Sequence, residues 1–311
     1  MNVLSLFDGI SVGRYALDLA GIKIEKYYAC EIEKHAITIS KKNYPNNIHL
    51  GSVVDLKSEQ IVEPLDLLIG GSPCQDLSIA KKDRKGLGGE RSGLFWEYIR
   101  LKNELKPKWF ILENVASMSK KDKDIISEAM GCEPILFNAS LVSAQTRKRL
   151  FWTNIPFTLP KDRGIILKHI LQPDADVDDR MVNKDKKAYT LTASYQGAVE
   201  KNSVAKKQRT MVKVGHFGEF KEGKIYPNNH NNTQGGQAHR VYSPEGICPT
   251  LGTTPPNIIN NNVRKLTPIE CERLQSLPDN YTEGIAMTNR YKVLGNAFNA
   301  EVIGHILNGI K

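Results

Sequence analysis

A short apolar run that ends in two glycines constrains the fold of this 311-residue chain more than any other feature. The run, Leu65–Ile69, has the length and composition of a buried parallel strand. Gly70 and Gly71 break that strand, and Pro73 prevents it from resuming. Cys74 therefore follows the carboxyl end of the strand, where open α/β sheets bind their ligands. A thiol in this place is either a nucleophile or a small buried apolar group, and its position alone favours neither.

Composition and charge predict a globular protein with an anionic partner. The hydrophobic content of 40% and charged content of 25% suit a folded domain rather than a disordered chain. The formal net charge of +9 makes nucleic acid the first candidate for that partner. The five cysteines, at positions 30, 74, 132, 248 and 271, form no C-x-x-C pair, so we expect neither disulfides nor a metal site. With no signal peptide and no run of transmembrane length, we expect a cytoplasmic protein without a membrane partner.

The amino-terminal residues have the order of a nucleotide-binding βα unit. A strand is predicted over Val3–Phe7, a turn over Asp8–Gly13 and a helix over Arg14–Ala20. The glycines of the turn let a ligand approach the backbone, although two glycines match the dinucleotide fingerprint only weakly. A second strand, Tyr27–Cys30, ends at Glu31. This acid is placed either to bind ribose hydroxyls or to begin the next helix.

Two features near Cys74 point to a polyanionic ligand. The segment Ile79–Gly93 is basic and rich in glycine, which suits a loop that closes over a polyanion, although a solvated loop has the same composition. A further strand, Trp109–Leu112, ends at Glu113. A carboxylate is therefore expected at a strand end close to the cysteine.

A basic segment lies between two more predicted strands, Leu136–Leu141 and Arg149–Thr153. Alternation along this segment puts Gln145, Arg147 and Arg149 on one face of the chain. Arginines on one face can bind a phosphate or a base edge, although an exposed edge strand would show the same pattern.

The sequence changes character after residue 172. Apolar periodicity fades, asparagine, glycine and threonine become frequent, and strands are expected to be short, as at Ala188–Ala193. Helical periodicity returns where Thr267 is predicted to cap a helix that begins with proline. We therefore interpret residues 173–263 as a second, smaller domain and residues 1–172 with 264–311 as the main domain.

Six short motifs, taken in order, resemble those of the cytosine-5 DNA methyltransferases, and the resemblance covers nearly the whole chain. They are Phe7-Asp8-Gly9, Pro73-Cys74-Gln75, Glu113-Asn114-Val115, Gln145-x-Arg147-x-Arg149, the segment from Arg264 to Pro278, and Gly295-Asn296-Ala297. One such motif is weak, but six in the family's order are specific. The resemblance implies a doubly wound, mostly parallel α/β sheet of the S-adenosylmethionine-dependent methyltransferase fold, with residues 173–263 as a β-rich target-recognition domain. The opening motif is also similar to that of animal de novo enzymes, whereas the long recognition region indicates a bacterial or phage enzyme.

The resemblance also implies roles for four catalytic residues. Cys74 is expected to add to carbon 6 of a cytosine that has been flipped out of the duplex. Glu113 would hold the edge of the base at nitrogen 3 and supply a proton. Arg149, with Arg147 nearby, would stabilise the base oxygen or the adjacent backbone. The methyl donor would be S-adenosyl-L-methionine, and the product S-adenosyl-L-homocysteine.

The binding residues follow from the same motifs. The residues expected to bind the cofactor are Phe7, Asp8, Gly9, Glu31, Ile32, Ser52, Val53, Pro73, Leu94 and Asn296. The residues expected to contact DNA are Ser78, Lys81, Lys82, Arg84, Lys85, Arg91, Gln145 and Arg240. One departure from the family stands out, because Ser52 occupies a position where many members have an aspartate that meets the adenine amino group.

Two other functions fit these motifs. A tRNA-modifying branch shares them, but it resembles a minimal version of the fold, and the long recognition region argues against it. A catalytically silent DNA-binding paralogue would lack the cysteine or the glutamate, whereas Cys74 and Glu113 are both present. The partners implied by the resemblance are double-stranded DNA and, where the enzyme belongs to a restriction system, a cognate endonuclease. A monomer is expected, and the sequence does not specify the recognised site.

Overall fold

A computed structural model describes residues 1–73, 92–173, 175–177, 179–183, 185–214, 219–221, 224–226, 241–242, 257–258 and 263–310. Eight residues with predicted roles lie outside the described residues, namely Cys74, Ser78, Lys81, Lys82, Arg84, Lys85, Arg91 and Arg240.

A seven-stranded sheet forms the main domain. Its strands are β1 (Asn2–Leu6), β2 (Lys26–Cys30), β3 (Ile48–Gly51), β4 (Leu67–Gly70), β5 (Trp109–Val115), β6 (Ile135–Asn138) and β7 (Lys148–Thr153). They lie in the order β3-β2-β1-β4-β5-β7-β6. All neighbours are parallel except β7, which runs antiparallel to β5 and β6. The predicted doubly wound, mostly parallel sheet is confirmed, and its strand order reverses between β1 and β4.

Helices cover both faces of this sheet. They are α1 (Val12–Leu19), α2 (Lys34–Asn43), α3 (Phe95–Leu105), α4 (Lys120–Met130), α5 (Glu200–Val204), α6 (Pro268–Leu274), α7 (Met287–Asn296) and α8 (Ala300–Leu307). Successive residues of β1 face opposite sides, so Val3 joins a core cluster with Ala16 of α1, and Leu4 joins a second cluster with Tyr98 of α3. Burial on both faces explains why these strands are continuous apolar runs rather than alternating ones. None of the described helices has the length and apolar character that crossing a bilayer requires.

The predicted recognition region contains short strands in two small sheets. One sheet joins β8 (Ala175–Asp176), β9 (Met211–Val214) and β14 (Val263–Lys265), and the other joins β10 (Glu219–Lys221), β11 (Lys224–Tyr226), β12 (Val241–Tyr242) and β13 (Asn257–Ile258). Met181, Tyr195 and Val212 pack into the same core cluster as α1. This part of the region therefore shares a core with the main sheet, and the boundaries at residues 173 and 263 remain predictions.

The strand predicted over Ala188–Ala193 is not present. Ala188 makes one isolated bridge with Gln145, but the neighbouring backbone groups bond to side chains instead of to a second strand. The Tyr189 N–H donates to the Thr210 hydroxyl at 2.7 Å, and the Leu191 N–H donates to the Gln145 side chain at 2.9 Å. Among the described residues 188–193, only Ala188 bonds to backbone groups of another segment, those of Ala144 and Thr146, so these residues do not form a continuous strand.

Candidate active site

A cleft of about 420 Å³ opens at the carboxyl ends of the strands where the strand order reverses. Nine of the ten predicted cofactor residues line it, namely Phe7, Gly9, Glu31, Ile32, Ser52, Val53, Pro73, Leu94 and Asn296. Three of the predicted catalytic residues, Glu113, Arg147 and Arg149, line it as well. Residues that are far apart in sequence therefore meet here, because the carboxyl ends of β1 to β5 lie at one edge of the sheet and the carboxyl-terminal part of α7 lines the same cleft.

Glu31 shapes the floor of the cleft. One oxygen of its carboxylate accepts a hydrogen bond from the Gly9 N–H at 2.8 Å, and the other accepts from the Ile32 and Glu33 N–H groups, also at 2.8 Å. Phe7 and Gly9 both adopt positive φ angles, of 56° and 59°, so the turn after β1 is held in a conformation that non-glycine residues rarely adopt. A carboxylate has about four acceptor sites, so Glu31 can fix this turn and still accept from one hydroxyl of a ligand.

Asp8 does not reach the cleft, contrary to the prediction that it binds the cofactor. Its side chain is buried, and its two oxygens accept hydrogen bonds from the Tyr27 hydroxyl at 2.7 Å and the Ser11 hydroxyl at 2.5 Å. Ser11 in turn contacts the hydroxyl of Ser40 at 2.6 Å. The Asp8 side chain therefore points into the protein interior and stabilises the turn from the side opposite the cleft.

Burial raises the pKa of the Asp8 carboxyl from its ordinary value of 3.8 to about 6, although hydrogen bonds from Ser11, Ser5 and Tyr27 act in the opposite direction. The folded protein therefore holds this proton more tightly than the unfolded chain does. This group favours folding below about pH 4, and that contribution is lost as the pH rises through about 6.

We expect Asp8→Asn, which stays uncharged, to gain stability over the wild type by up to about 3 kcal/mol between pH 4 and pH 7. The quantity to measure is the difference in unfolding free energy between the two proteins, from urea denaturation at pH 4, 5, 6 and 7. At pH 4, close to the unfolded pKa of 3.8, the difference reports mainly the altered hydrogen bonds. A difference that stayed constant with pH would show that Asp8 does not titrate in this range.

Glu113 and Arg149 form an ion pair that also lines the cleft. Arg149 Nε lies 2.8 Å from Glu113 Oε1, and the two side chains are only 17% and 13% exposed. Glu113 is on β5 and Arg149 on the antiparallel β7, with Val115 of β5 directly opposite Arg149. The pairing of these two strands therefore holds a carboxylate beside a guanidinium, where a polar, planar ring could bind.

The turn after β4 is packed tightly against this pair. A Cβ atom added at Gly71 would lie 2.8 Å from the ring of Phe298 and 3.2 Å from Glu113 Oε2. Only glycine fits there without displacing an aromatic ring or the carboxylate. The sequence indicated Gly71 as a strand breaker, whereas the structure also shows it as a contact that brings the Pro73 segment close to Glu113.

Gln145 and Arg147, predicted to contact DNA and to act in catalysis, are both buried and bond to backbone groups of this chain. Gln145 has no exposed surface with which to contact DNA, and its amide donates to the Leu274 carbonyl at 3.2 Å and accepts from the Leu191 N–H at 2.9 Å. Arg147 is 4% exposed and donates to the carbonyls of Leu191 at 3.0 Å and Ala297 at 2.9 Å. The two side chains thus bind both backbone polar groups of Leu191 and attach this part of the chain to the segment that precedes β7.

Gly295 makes a further close contact with this part of the chain. The sequence analysis did not predict that contact. A Cβ atom there would lie 2.2 Å from the backbone nitrogen of Ala193. The carboxyl-terminal part of α7, which carries Asn296, therefore touches the 192–193 backbone directly. The only signal in the sequence was the glycine itself, inside a helical pattern, which often marks close packing of another chain segment.

Comparisons with known proteins identify the family to which this chain belongs. The family model of C-5 cytosine-specific DNA methylases matches residues 1–311. Type II methyltransferase M.HhaI of Haemophilus parahaemolyticus is 26% identical over 337 aligned residues, which cover 100% of this chain and 94% of that protein. Type II methyltransferase M.Bsp6I of Bacillus sp. (strain RFL6) is 25% identical, with 100% and 98% covered.

Two solved structures are also similar. A structure described as a DNA modification methyltransferase encoded within a prophage of E. coli is 25% identical with a TM-score of 0.61, and the match covers 100% of this chain and 98% of that one. A mutant of Spodoptera frugiperda DNMT2 is 19% identical with a TM-score of 0.63, and 99% of each chain is covered. At 19% identity, the second likeness shows the fold alone.

Proposed function

Because this chain belongs to the C-5 cytosine-specific DNA methylase family and is a DNA (cytosine-5)-methyltransferase, we propose that it methylates one cytosine within a short DNA sequence, with Cys74 as nucleophile and S-adenosyl-L-methionine as methyl donor. The observation that carries this proposal is a cleft that brings two chemically different groups of residues together. Phe7 and Glu31 follow β1 and β2, whereas Glu113 and Arg149 lie on β5 and β7, and Asn296 of α7 lines the same cleft.

The residues that follow β1, β2 and β3 suit S-adenosyl-L-methionine. Glu31 keeps an acceptor site that a ribose hydroxyl would use. Ile32 leaves 76% of its surface exposed beside the cleft, an apolar face on which an adenine ring could lie. Ser52 would offer a neutral hydroxyl to the edge of that ring. When bound, S-adenosyl-L-methionine supplies an electrophilic methyl group.

The protein's own residues would act on the cytosine. The thiolate of Cys74 would form a bond to carbon 6, and the electron pair of the 5,6 double bond would then make carbon 5 nucleophilic. Glu113 would donate a proton at nitrogen 3 and so balance the negative charge that develops on the ring. After carbon 5 has been methylated, water would take the carbon 5 proton, and the Cys74 thiolate would be eliminated as the 5,6 double bond re-forms. The proton at nitrogen 3 would return to the Glu113 carboxylate, which restores the neutral base and the free enzyme.

The direct test is bisulfite-type sequencing of plasmid DNA from cells that produce this chain, with a Cys74→Ser variant as the control. We expect methylated cytosines confined to one short sequence, and none with the variant. DNA without methylation, alongside newly methylated RNA from the same cells, would replace the DNA substrate with RNA. Sequence-specific DNA binding without any methylation would indicate a silent binding protein.

The same experiment addresses the partners. The two relatives are named as type II methyltransferases, and this supports a cognate restriction endonuclease that cuts the same sequence. A plasmid methylated by this chain would then resist that endonuclease. We further propose that the enzyme acts as a monomer in the cytoplasm of a bacterial or phage-infected cell, where its DNA substrate lies.

A further inference from the structure

We propose that Asn114, together with Ser72, is a positioning residue that fixes the direction of the chain entering the nucleophile Cys74. This inference rests on the proposed function, because it concerns how the nucleophile is presented. Asn114 directly follows Glu113 on β5, so their side chains point to opposite sides of the strand. Glu113 faces the cleft, whereas Asn114 is 1% exposed and faces the turn after β4.

Three hydrogen bonds connect Asn114 to its surroundings. Its amide nitrogen donates to the Ser72 hydroxyl at 3.1 Å and to the Ser72 carbonyl at 3.3 Å. Its amide oxygen accepts from the Val115 N–H at 2.8 Å, which fixes the orientation of the side chain. Ser72 is itself only 4% exposed, so neither partner can exchange these bonds for water without opening the turn.

The opposite side of the turn is blocked. Gly71 lies against the Phe298 ring and the Glu113 carboxylate so closely that a methyl group would not fit. The turn is therefore held on one side by packing and on the other by the Asn114 amide. These two contacts restrict the movement of the Ser72 backbone relative to β5.

One residue separates Ser72 from the nucleophile, and that residue is Pro73. The proline ring restricts φ of Pro73 to about −65°, so the backbone that leads from Ser72 toward Cys74 keeps only one free rotation at Pro73. Neighbouring residues of one strand end would thus position both reacting groups, Glu113 directly and Cys74 through Asn114 and Ser72. A loss of this attachment should disturb the attack geometry and leave the binding surfaces intact.

The test compares Asn114→Ala with Asn154→Ala. Asn154 is the matched control, because its side chain makes two backbone hydrogen bonds at the other end of β5, with the Phe110 N–H and the Lys108 carbonyl, both at 2.9 Å. We expect Asn114→Ala to lower kcat about 100-fold, as for a reacting atom misplaced by about 1 Å. The KM for DNA and the Kd for S-adenosyl-L-homocysteine should stay within about threefold. Asn154→Ala should keep its kcat while losing a comparable or smaller amount of thermal stability.

Ser72→Ala provides a milder second variant if Asn114→Ala fails to fold. It removes one of the two Ser72 acceptors, and we expect a fall in kcat of about fivefold, equivalent to one neutral hydrogen bond. The double variant should be no slower than Asn114→Ala alone.

Retained kcat in Asn114→Ala, or in Ser72→Ala where only that variant folds, would overturn the inference. An equal loss in Asn154→Ala, or a fall in kcat matched by a loss of S-adenosyl-L-homocysteine affinity, would do the same. If the wild type methylates RNA rather than DNA, the proposed function fails, and the same kcat comparison on RNA still decides the role of Asn114.

Discussion

Replacing Glu113 with glutamine should slow methyl transfer by about 10²–10⁴-fold, the usual contribution of a positioned acid or base. Glutamine has the shape of glutamate and keeps a carbonyl oxygen to which Arg149 Nε, now 2.8 Å from the carboxylate, can donate. It cannot release a proton to the base. The side chain would therefore still hold the cytosine ring while failing to balance the charge that forms when the thiolate adds. Single-turnover rates of the two enzymes, at saturating DNA and methyl donor, measure this change in the rate of methyl transfer.

The control for this variant is a similar ion pair outside the cleft. Glu301 lies 2.9 Å from Arg163 and is 34% exposed, so Glu301→Gln changes the same charge in a comparable pair. We expect its methylation rate to match the wild type. Affinity for S-adenosyl-L-homocysteine should be preserved in both variants, because β1 and β4 separate β5, which carries Glu113, from β2, which Glu31 follows. A Glu113→Gln enzyme within about threefold of the wild-type rate would exclude the acid role, since that loss is far below the range for acid–base catalysis.

Positions at strand ends were predictable because a parallel sheet brings the ends of its strands to one edge. Glu31 and Glu113 follow apolar runs of recognisable length, and both line the cleft as the sequence predicts. The direction in which a side chain points was not predictable in the same way. Asp8 lies between two residues of the cleft, yet it turns inward because Tyr27 and Ser11 offer hydrogen bonds there.

The Gln145 and Arg147 motif shows a second limit. Alternation correctly grouped these side chains, but it does not reveal what lies opposite them. In the structure, the backbone of Leu191 lies there, more than forty positions along the chain. Such a contact depends on how the chain around Leu191 folds back against residues 145–147. No local sequence pattern encodes that arrangement. A short arginine motif is therefore weaker evidence for DNA contact than its charge implies.

The structure explains the charged residues in the segment from Arg264 to Pro278, which the resemblance to a family motif does not explain. Glu270 and Glu272 on α6 have no exposed surface, and each is paired with an arginine at 2.8 Å. The Glu270 carboxylate also accepts from the Thr267 N–H, and the Thr267 hydroxyl accepts from the Glu270 N–H, which confirms the predicted cap. The motif thus secures α6 beneath α7, the helix that carries Asn296.

Replacing Glu272 with alanine should therefore destabilise the protein by about 3–5 kcal/mol, the cost of removing one partner from a buried ion pair. Its carboxylate accepts from the Asn280 N–H at 2.7 Å, the Thr282 N–H at 2.8 Å and the Thr282 hydroxyl, as well as from Arg290. The variant would leave the Arg290 guanidinium, only 15% exposed, without its countercharge. Urea denaturation at pH 7 measures the change in unfolding free energy.

Asp279→Ala is the matched control for this stability prediction, because Asp279 forms an ion pair of 2.6 Å with Arg273 in the same segment but is 45% exposed. Exposed pairs contribute about 1 kcal/mol or less, so the two substitutions should differ several-fold in their effect. An equal, small effect would mean that water reaches Glu272 and that burial does not govern its pairing. Because α6 supports α7, we also expect Glu272→Ala to weaken S-adenosyl-L-homocysteine binding at temperatures where the variant is still folded. Asp279→Ala should leave that affinity unchanged, since its partner Arg273 does not line the cleft.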